Sequence, residues 1–236
     1  MYTVLRPANR YASRLPNLRD AVVYKLVTPR LAPSRIGQYV LAFAAGGGTK
    51  APVRAGYEDF LYLLSGEIEL HADGLHAPLR AGSWAYLPPD ASFGLEVGAG
   101  DAELLWIKRR YEPWPGLSAP SAVTGHRDDA PFDAETGVAG FRRRELLDPL
   151  DPRLDFNMSL LQFDPGVGLP KVEVHDEEHG LYMTAGGGTY LLEDRELEVR
   201  AGDFIYMAPY CPQSFVATGD EPAEYLLYKD VWRDGF

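Results

Sequence analysis

The stretch HGLYMTAGGGTYLLEDRELEVRAGDFIYMAPYCPQSF, His179 to Phe215, decides the fold, because DFLYLLSGEIELHADGLHAPLRAGSWAYLPPDASF, Asp59 to Phe93, repeats it. At an offset of 120 residues Gly66 falls on Gly186, Arg80-Ala81-Gly82 on Arg200-Ala201-Gly202, and Tyr86 on Tyr206. Further on, AELLWIK (Ala102 to Lys108) matches AEYLLYK (Ala223 to Lys229) at an offset of 121, so one residue has been gained in a loop. Self-similarity on this scale marks a tandem duplication.

Each copy reads as short strands. LYLLSGEIELHA and LYMTAGGGTYLLE are apolar runs broken by Ser-Gly or Gly, which predicts a hairpin at each break. AGSWAYLPP and AGDFIYMAP read as a turn, a short aromatic strand and a proline stop. AELLWIKRR and AEYLLYKDV read as closing strands. Many short strands at even spacing predict an all-β protein of two sandwiches or closed barrels. AVVYKLVTP and GQYVLAFAA supply two more strands to the first barrel. Residues 112–137 are rich in Pro, Gly, Ser and Asp and lack periodic apolar positions, as a linker does. The expected organisation is a first barrel over 1–115, a linker over 116–137 and a second barrel over 138–236. His126, in the linker, is assigned no chemistry.

The bulk composition agrees. The 236 residues are 46% hydrophobic, with 24 glycines and 19 prolines, which suits a turn-rich β protein with a full core. A net charge of −11 disfavours nucleic acid and anionic membranes as partners. Lys108-Arg109-Arg110 and Arg142-Arg143-Arg144 read as solvated strand ends. The single Cys211 excludes an internal disulfide and is assigned packing. With no signal-like leader and no long apolar run, a soluble cytoplasmic protein is expected.

The candidate chemistry lies in KVEVHDEEHG, Lys171 to Gly180. Glu173, His175 and His179 share parity, so on an extended chain they face one side. Two imidazoles and a carboxylate inside an apolar lumen are costly unless a divalent cation compensates them. The competing explanation is a solvated rim, and Asp176-Glu177-Glu178 read as a solvent loop. The first copy is an internal control: Val53, Ala55 and Asp59 stand at the matching positions, so the scaffold does not require the histidines. A metal site in the second barrel and none in the first is the expectation.

A duplicated small barrel of this kind resembles a bicupin. The first cupin motif, His-x-His, three or four residues, Glu, six residues, Gly, is matched with acid and imidazole exchanged: Glu173-x-His175-x3-His179-x6-Gly186. The second motif starts at Gly202, and its histidine slot holds Gln213; the first-copy slot holds Phe93 (or Ser92). A Glu-x-His-x3-His set completed by Gln resembles the (S)-ureidoglycine aminohydrolases, manganese enzymes of allantoin and purine breakdown. The similarity runs from about Tyr57 to the C terminus, through FLYLLSG, WIKRRYEP, DFNMSLLQFDPG, VEVHDEEHG, GDFIYMAPYCPQ and LLYKD, and is weaker before it. It implies that Glu173, His175, His179 and Gln213 hold Mn²⁺, with other divalent metals open. It implies catalytic roles for Lys229 and Tyr225, and substrate contacts from Tyr190, Tyr225 and Lys229. Leu161 falls where some members carry methionine, a mild departure. The implied reaction releases ammonia from ureidoglycine, a small-molecule substrate, and leaves ureidoglycolate. Association of aromatic-rich outer strands makes a homo-oligomer the expectation. The alternatives are another cupin enzyme, such as an Mn or Fe oxygenase or an isomerase, and a non-catalytic small-ligand-binding bicupin.

Overall fold

The computed structural model describes residues 1–53, 56–129, 131–132 and 136–231, so Ala55 and the last five residues of the expected second barrel lie outside the described residues. Among the described residues the regular elements are strands, apart from one 3-10 turn at Pro7–Asn9. From the N terminus these are β1 (Tyr2–Leu5), β2 (Ala12–Ser13), β3 (Leu18–Val27), β4 (Ile36–Thr49), β5 (Glu58–Ser65), β6 (Glu67–Ala72) and β7 (Leu75–Arg80). They continue as β8 (Ser83–Leu87), β9 (Phe93–Val97), β10 (Ala102–Arg109), β11 (Val123–His126), β12 (Phe141–Glu145) and β13 (Phe156–Phe163). The last six are β14 (His179–Ala185), β15 (Gly187–Leu192), β16 (Arg195–Arg200), β17 (Phe204–Met207), β18 (Gln213–Ala217) and β19 (Ala223–Asp230). No helix among the described residues is long and apolar enough to cross a membrane.

Two compact units result, Arg10–Asp129 and Met1–Asn9 with Ala130–Phe236. This corrects the expected boundaries at two places. β1 pairs antiparallel with β17, Tyr2 facing Met207 and Leu5 facing Phe204, so the first nine residues complete the second sheet. β11 pairs with β8, so part of the expected linker is a strand of the first barrel. Both segments carry β-branched residues suited to covering an edge, Thr3 and Val4 in β1 and Val123 and Thr124 in β11, and an unpaired edge is costly to leave open.

In the first unit one ten-stranded sheet runs β11-β8-β5-β10-β4-β9-β6-β7, with β3 on β4 and β2 on β3. The second unit has a six-stranded sheet, β1-β17-β14-β19-β13-β12, and a three-stranded one, β16-β15-β18. Alternation drives the curl: β9 and β18 share the same in-out burial pattern, buried at their first, third and fifth residues. Inward residues pack into a core in each unit, with Leu41, Leu61, Leu104 and Trp106 in the first and Phe163, Leu181, Met183 and Phe215 in the second. Each fully buried side chain of this size contributes about 2 kcal/mol.

The hairpins expected at Ser65-Gly66 and Ala185-Gly186 are not there. β5 pairs with β8 and β10, never with β6, and β14 pairs with β17 and β19, never with β15. The hairpins are β6–β7 and β15–β16, one strand later. Gly66 (φ 80) and Gly186 (φ 60) instead turn the chain from one sheet to the next. A Cβ at either would stand within 2.4 Å of a carbonyl oxygen, Asp101 O for Gly66 and Pro222 O for Gly186. Only glycine fits such a corner.

The duplication extends to buried polar groups. Tyr86 donates its hydroxyl to Glu58 at 3.0 Å, and Tyr206 donates to Glu178 at 2.9 Å, the same pair 120 residues on. Glu178 is therefore no member of a solvent loop; it is 1% exposed and structural. The basic runs also need correction. Arg109 is 1% exposed, and Arg144 is buried with its guanidinium 4.0 Å from the Phe132 ring. Long apolar stems let such residues line a strand while their heads find acid or aromatic partners. His126, expected in the linker, is the last residue of β11, with Nε2 3.0 Å from the Ala81 carbonyl oxygen.

Candidate active site

The segment leading into β14 is not a full strand. One isolated bridge fixes it: Glu173 N–H donates to Gln213 O at 2.8 Å, and Gln213 N–H returns to Glu173 O at 3.0 Å. The same bridge joins Val53 and Phe93 in the first copy, at 2.6 and 3.1 Å. It settles which first-copy residues match the quartet: Val53 for Glu173, Phe93 for Gln213 and, at the same offset, Asp59 for His179. Val172 and Val174 are 49% and 56% exposed, and Glu173 and His175, each one residue on, are half-buried. His179 then opens β14, facing Met207 on β17 and Lys229 on β19.

These placements gather one cluster. The His175 and His179 rings lie 4.7 Å apart at 28°. Gln213 Nε2 is 3.1 Å from His175 Nε2, and the Tyr190 hydroxyl donates to Gln213 Oε1 at 3.4 Å. Glu177 bridges the cluster's cations, with one oxygen 2.8 Å from Lys229 Nζ and the other 2.8 Å from His175 Nδ1. Tyr190 and Tyr225 are buried in the second core, next to Phe215.

The electrostatics follow from burial. Desolvation pushes His179 well below its ordinary value, helped by the positive fields of His175, Lys229 and Arg143, so its imidazole is neutral at pH 7. Burial also raises both tyrosine hydroxyls, reinforced by the Glu173 carboxylate, so they act as neutral donors. Burial pulls Glu177 upward, but Lys229 and His175 outweigh it and hold the carboxylate below its usual range.

A cupin domain model matches residues 159–228, which run from within β13 into β19 and hold His175, Glu177, His179, Tyr190, Gln213 and Tyr225, with Lys229 the next residue on. The (S)-ureidoglycine aminohydrolase of Escherichia coli (strain K12) is 31% identical over 235 residues, 99% of this chain and 89% of that protein. The chain belongs to the (S)-ureidoglycine aminohydrolase family. Its counterpart from Arabidopsis thaliana is 32% identical over 234 residues, 99% of this chain and 76% of that one. A crystal structure of the protein Ylba from Escherichia coli superposes with a TM-score of 0.88 at 29% identity, covering all of this chain and 93% of that one.

For this aminohydrolase-family chain the donor chemistry fits a divalent cation, although the described side chains do not form a closed shell. Among the described residues no three His, Cys, Asp or Glu side chains converge to ligand distance. What fits is the state of the donors. His179 Nε2 is buried and has no hydrogen-bond partner among the described residues, an orphan that a buried lone pair normally avoids. Glu177 Oε2 stands 2.8 Å from Nδ1 of His175, the ring atom opposite the Nε2 that meets the Gln213 amide nitrogen. Gln213 brings an uncharged amide to the same ring.

Two members of this aminohydrolase-family site escaped the sequence. Glu177 sits within DEE, which reads as a charged loop, yet its repeat partner is Tyr57 and both lie against the matching lysine, Lys229 and Lys108. Comparing what each lysine needs would have singled it out. Arg143 acts only through its field, and nothing in FRRRE marks it. Cys211 is buried in the second core, in line with a packing role, and Leu161 lies in the same core.

Proposed function

We propose that this chain hydrolyses (S)-ureidoglycine to (S)-ureidoglycolate and ammonia, with Glu173, His175, His179 and Gln213 holding a divalent cation. The carrying observation is similarity over 99% of the chain to (S)-ureidoglycine aminohydrolases of a bacterium and a plant. Mixed nitrogen and oxygen donors with one carboxylate suit an octahedral ion such as Mn²⁺ better than a catalytic zinc, which takes three protein ligands. Bound there, the ion would supply a Lewis acid that fixes the substrate carboxylate.

The protein's own groups divide the remaining work. Glu173 is the one anion among the four donors, so the pocket keeps net positive charge for an anionic substrate. Tyr190 and Tyr225 donate neutral O–H groups from a dry wall and orient the ureido end. Lys229, held by Glu177, delivers a proton to the departing amine, which leaves as ammonia. Water supplies the hydroxyl that takes the amine's place on carbon, and its proton restores Lys229, so atoms and charge balance.

The test is ammonia release from freshly generated (S)-ureidoglycine. Wild-type protein is expected to exceed the spontaneous rate, and His179→Ala is expected to fall back to it. Equal rates with and without wild-type protein would overturn the assignment.

A further inference from the structure

The first barrel has a candidate site of its own. A cavity of about 450 Å³ in the first unit is lined by Lys25, Arg30 and Lys108, with Tyr39, Trp106 and Thr28 among its walls. Adjacent strands assemble it: Lys25 on β3 faces Tyr39 on β4, and Tyr39 faces Trp106 on β10. The Tyr39 and Trp106 rings are 5.6 Å apart and pack on the first core. Lys108 Nζ hangs 4.6 Å from the Tyr57 ring and 4.8 Å from the Trp106 ring.

Comparison of the two barrels shows what is missing here. Lys108 faces Asp59 across β10 and β5, as Lys229 faces His179 across β19 and β14. In the second copy Glu177 neutralises the lysine. In the first, Tyr57 stands at that position, and the lysine meets a ring instead of a carboxylate. Asp59 Oδ1 is taken by Trp106 Nε1–H at 2.7 Å, and the residue is buried. Among the described residues no carboxylate forms an ion pair with Lys25, Arg30 or Lys108. Three cations and one acid leave the surroundings of this cavity at about +2 in a chain of net −11. Cations gathered around an aromatic-walled hollow, in so acidic a protein, call for an anionic ligand.

We propose that this cavity binds a small organic carboxylate, gripped by Lys25, Arg30 and Lys108 with its carbon frame against Trp106 and Tyr39. The charge balance suits a dicarboxylate, and the volume lies within the usual range for small-molecule sites. A guanidinium matches a carboxylate in two parallel bonds, and the aromatic wall favours a ligand with carbon over inorganic phosphate. This site is separate from the proposed turnover and does not depend on it.

Isothermal titration of the full chain with malonate tests it, with acetate and inorganic phosphate as comparison probes. Malonate is expected to bind with Kd of about 1 mM or tighter, and phosphate and acetate at least about tenfold more weakly. Lys108→Met and Arg30→Ser should each weaken malonate at least about tenfold, whereas Lys229→Met should leave it. Arg30 is exposed, so its variant stays informative if Lys108→Met does not fold. Arg30→Ser should also leave ammonia release from ureidoglycine unchanged. The proposal is overturned by absence of malonate binding, by binding that both first-barrel variants leave intact, or by phosphate binding as tightly as malonate.

Discussion

Lys229 Nζ and His175 Nδ1 are tied through the two oxygens of one carboxylate, each 2.8 Å from Glu177. A charged loop residue therefore couples the proposed proton donor to a proposed metal ligand. Glu177→Gln keeps the size and removes the charge. Activity on ureidoglycine is expected to fall about 10- to 100-fold, while metal content measured on the same preparation stays at the wild-type level. Full activity in that variant would reduce Glu177 to a surface residue.

His179 gives the fold an acid sensitivity. Its folded value lies well below 6.5, so in metal-stripped protein the unfolded chain takes up a proton that the native state refuses. Stability from this group is fully present above about pH 6.5 and is lost as pH falls, by at most about 1.4 kcal/mol per pH unit. Thermal melts of stripped wild type from pH 7.5 to 5 should decline more steeply than those of His179→Leu. Parallel curves would remove His179 from the account of acid stability.

Asp59 works in the opposite sense. Burial raises it from 3.8 to about 6, against the Trp106 N–H and Lys108, which lower it. Its contribution is fully present below pH 3.8 and is lost as pH rises through 6. Asp59→Asn, whose oxygen still accepts from Trp106, should stabilise the first barrel by roughly 1–3 kcal/mol at pH 8 and by little at pH 3.5. Melting curves at the two pH values decide it, and equal gains at both would contradict the burial explanation.

Most of the architecture is legible in the chain because it is written twice. The offset of 120 residues holds in space, where Val53–Phe93 and Glu173–Gln213 form matching bridges and Glu58–Tyr86 and Glu178–Tyr206 matching hydrogen bonds. The repeat could also have exposed Glu178, since a glutamate in both copies at the same place is a scaffold residue. Strand partnership was not legible. Gly66 and Gly186 have the local signature of a hairpin, and only their closeness to Asp101 and Pro222, distant in sequence, makes them corners. The arms β1 and β11 were missed for the same reason, because pairing with β17 and β8 leaves no local mark. Parity put Glu173, His175 and His179 forward as candidates, whereas Glu177 and Arg143 reach His175, His179 and Lys229 through contacts and fields across strands.

The corner reading of Gly186 predicts a large penalty for a small change. Gly186→Ala places a methyl 2.4 Å from the Pro222 oxygen at φ 60, and should cost at least about 2 kcal/mol. Urea unfolding of this variant beside Gly219→Ala, where the added methyl meets nothing closer than 3.9 Å, gives the comparison. Equal midpoints would mean that the chain passes this corner without needing glycine.

The central claim is that one barrel carries a cation on two imidazoles, a carboxylate and an amide. Elemental analysis of purified wild type, Glu173→Ala and His175→Ala tests it most directly. One divalent ion per chain in wild type, lost in both folded variants, is the predicted result. Wild-type protein that releases ammonia from ureidoglycine while holding no stoichiometric metal would contradict it.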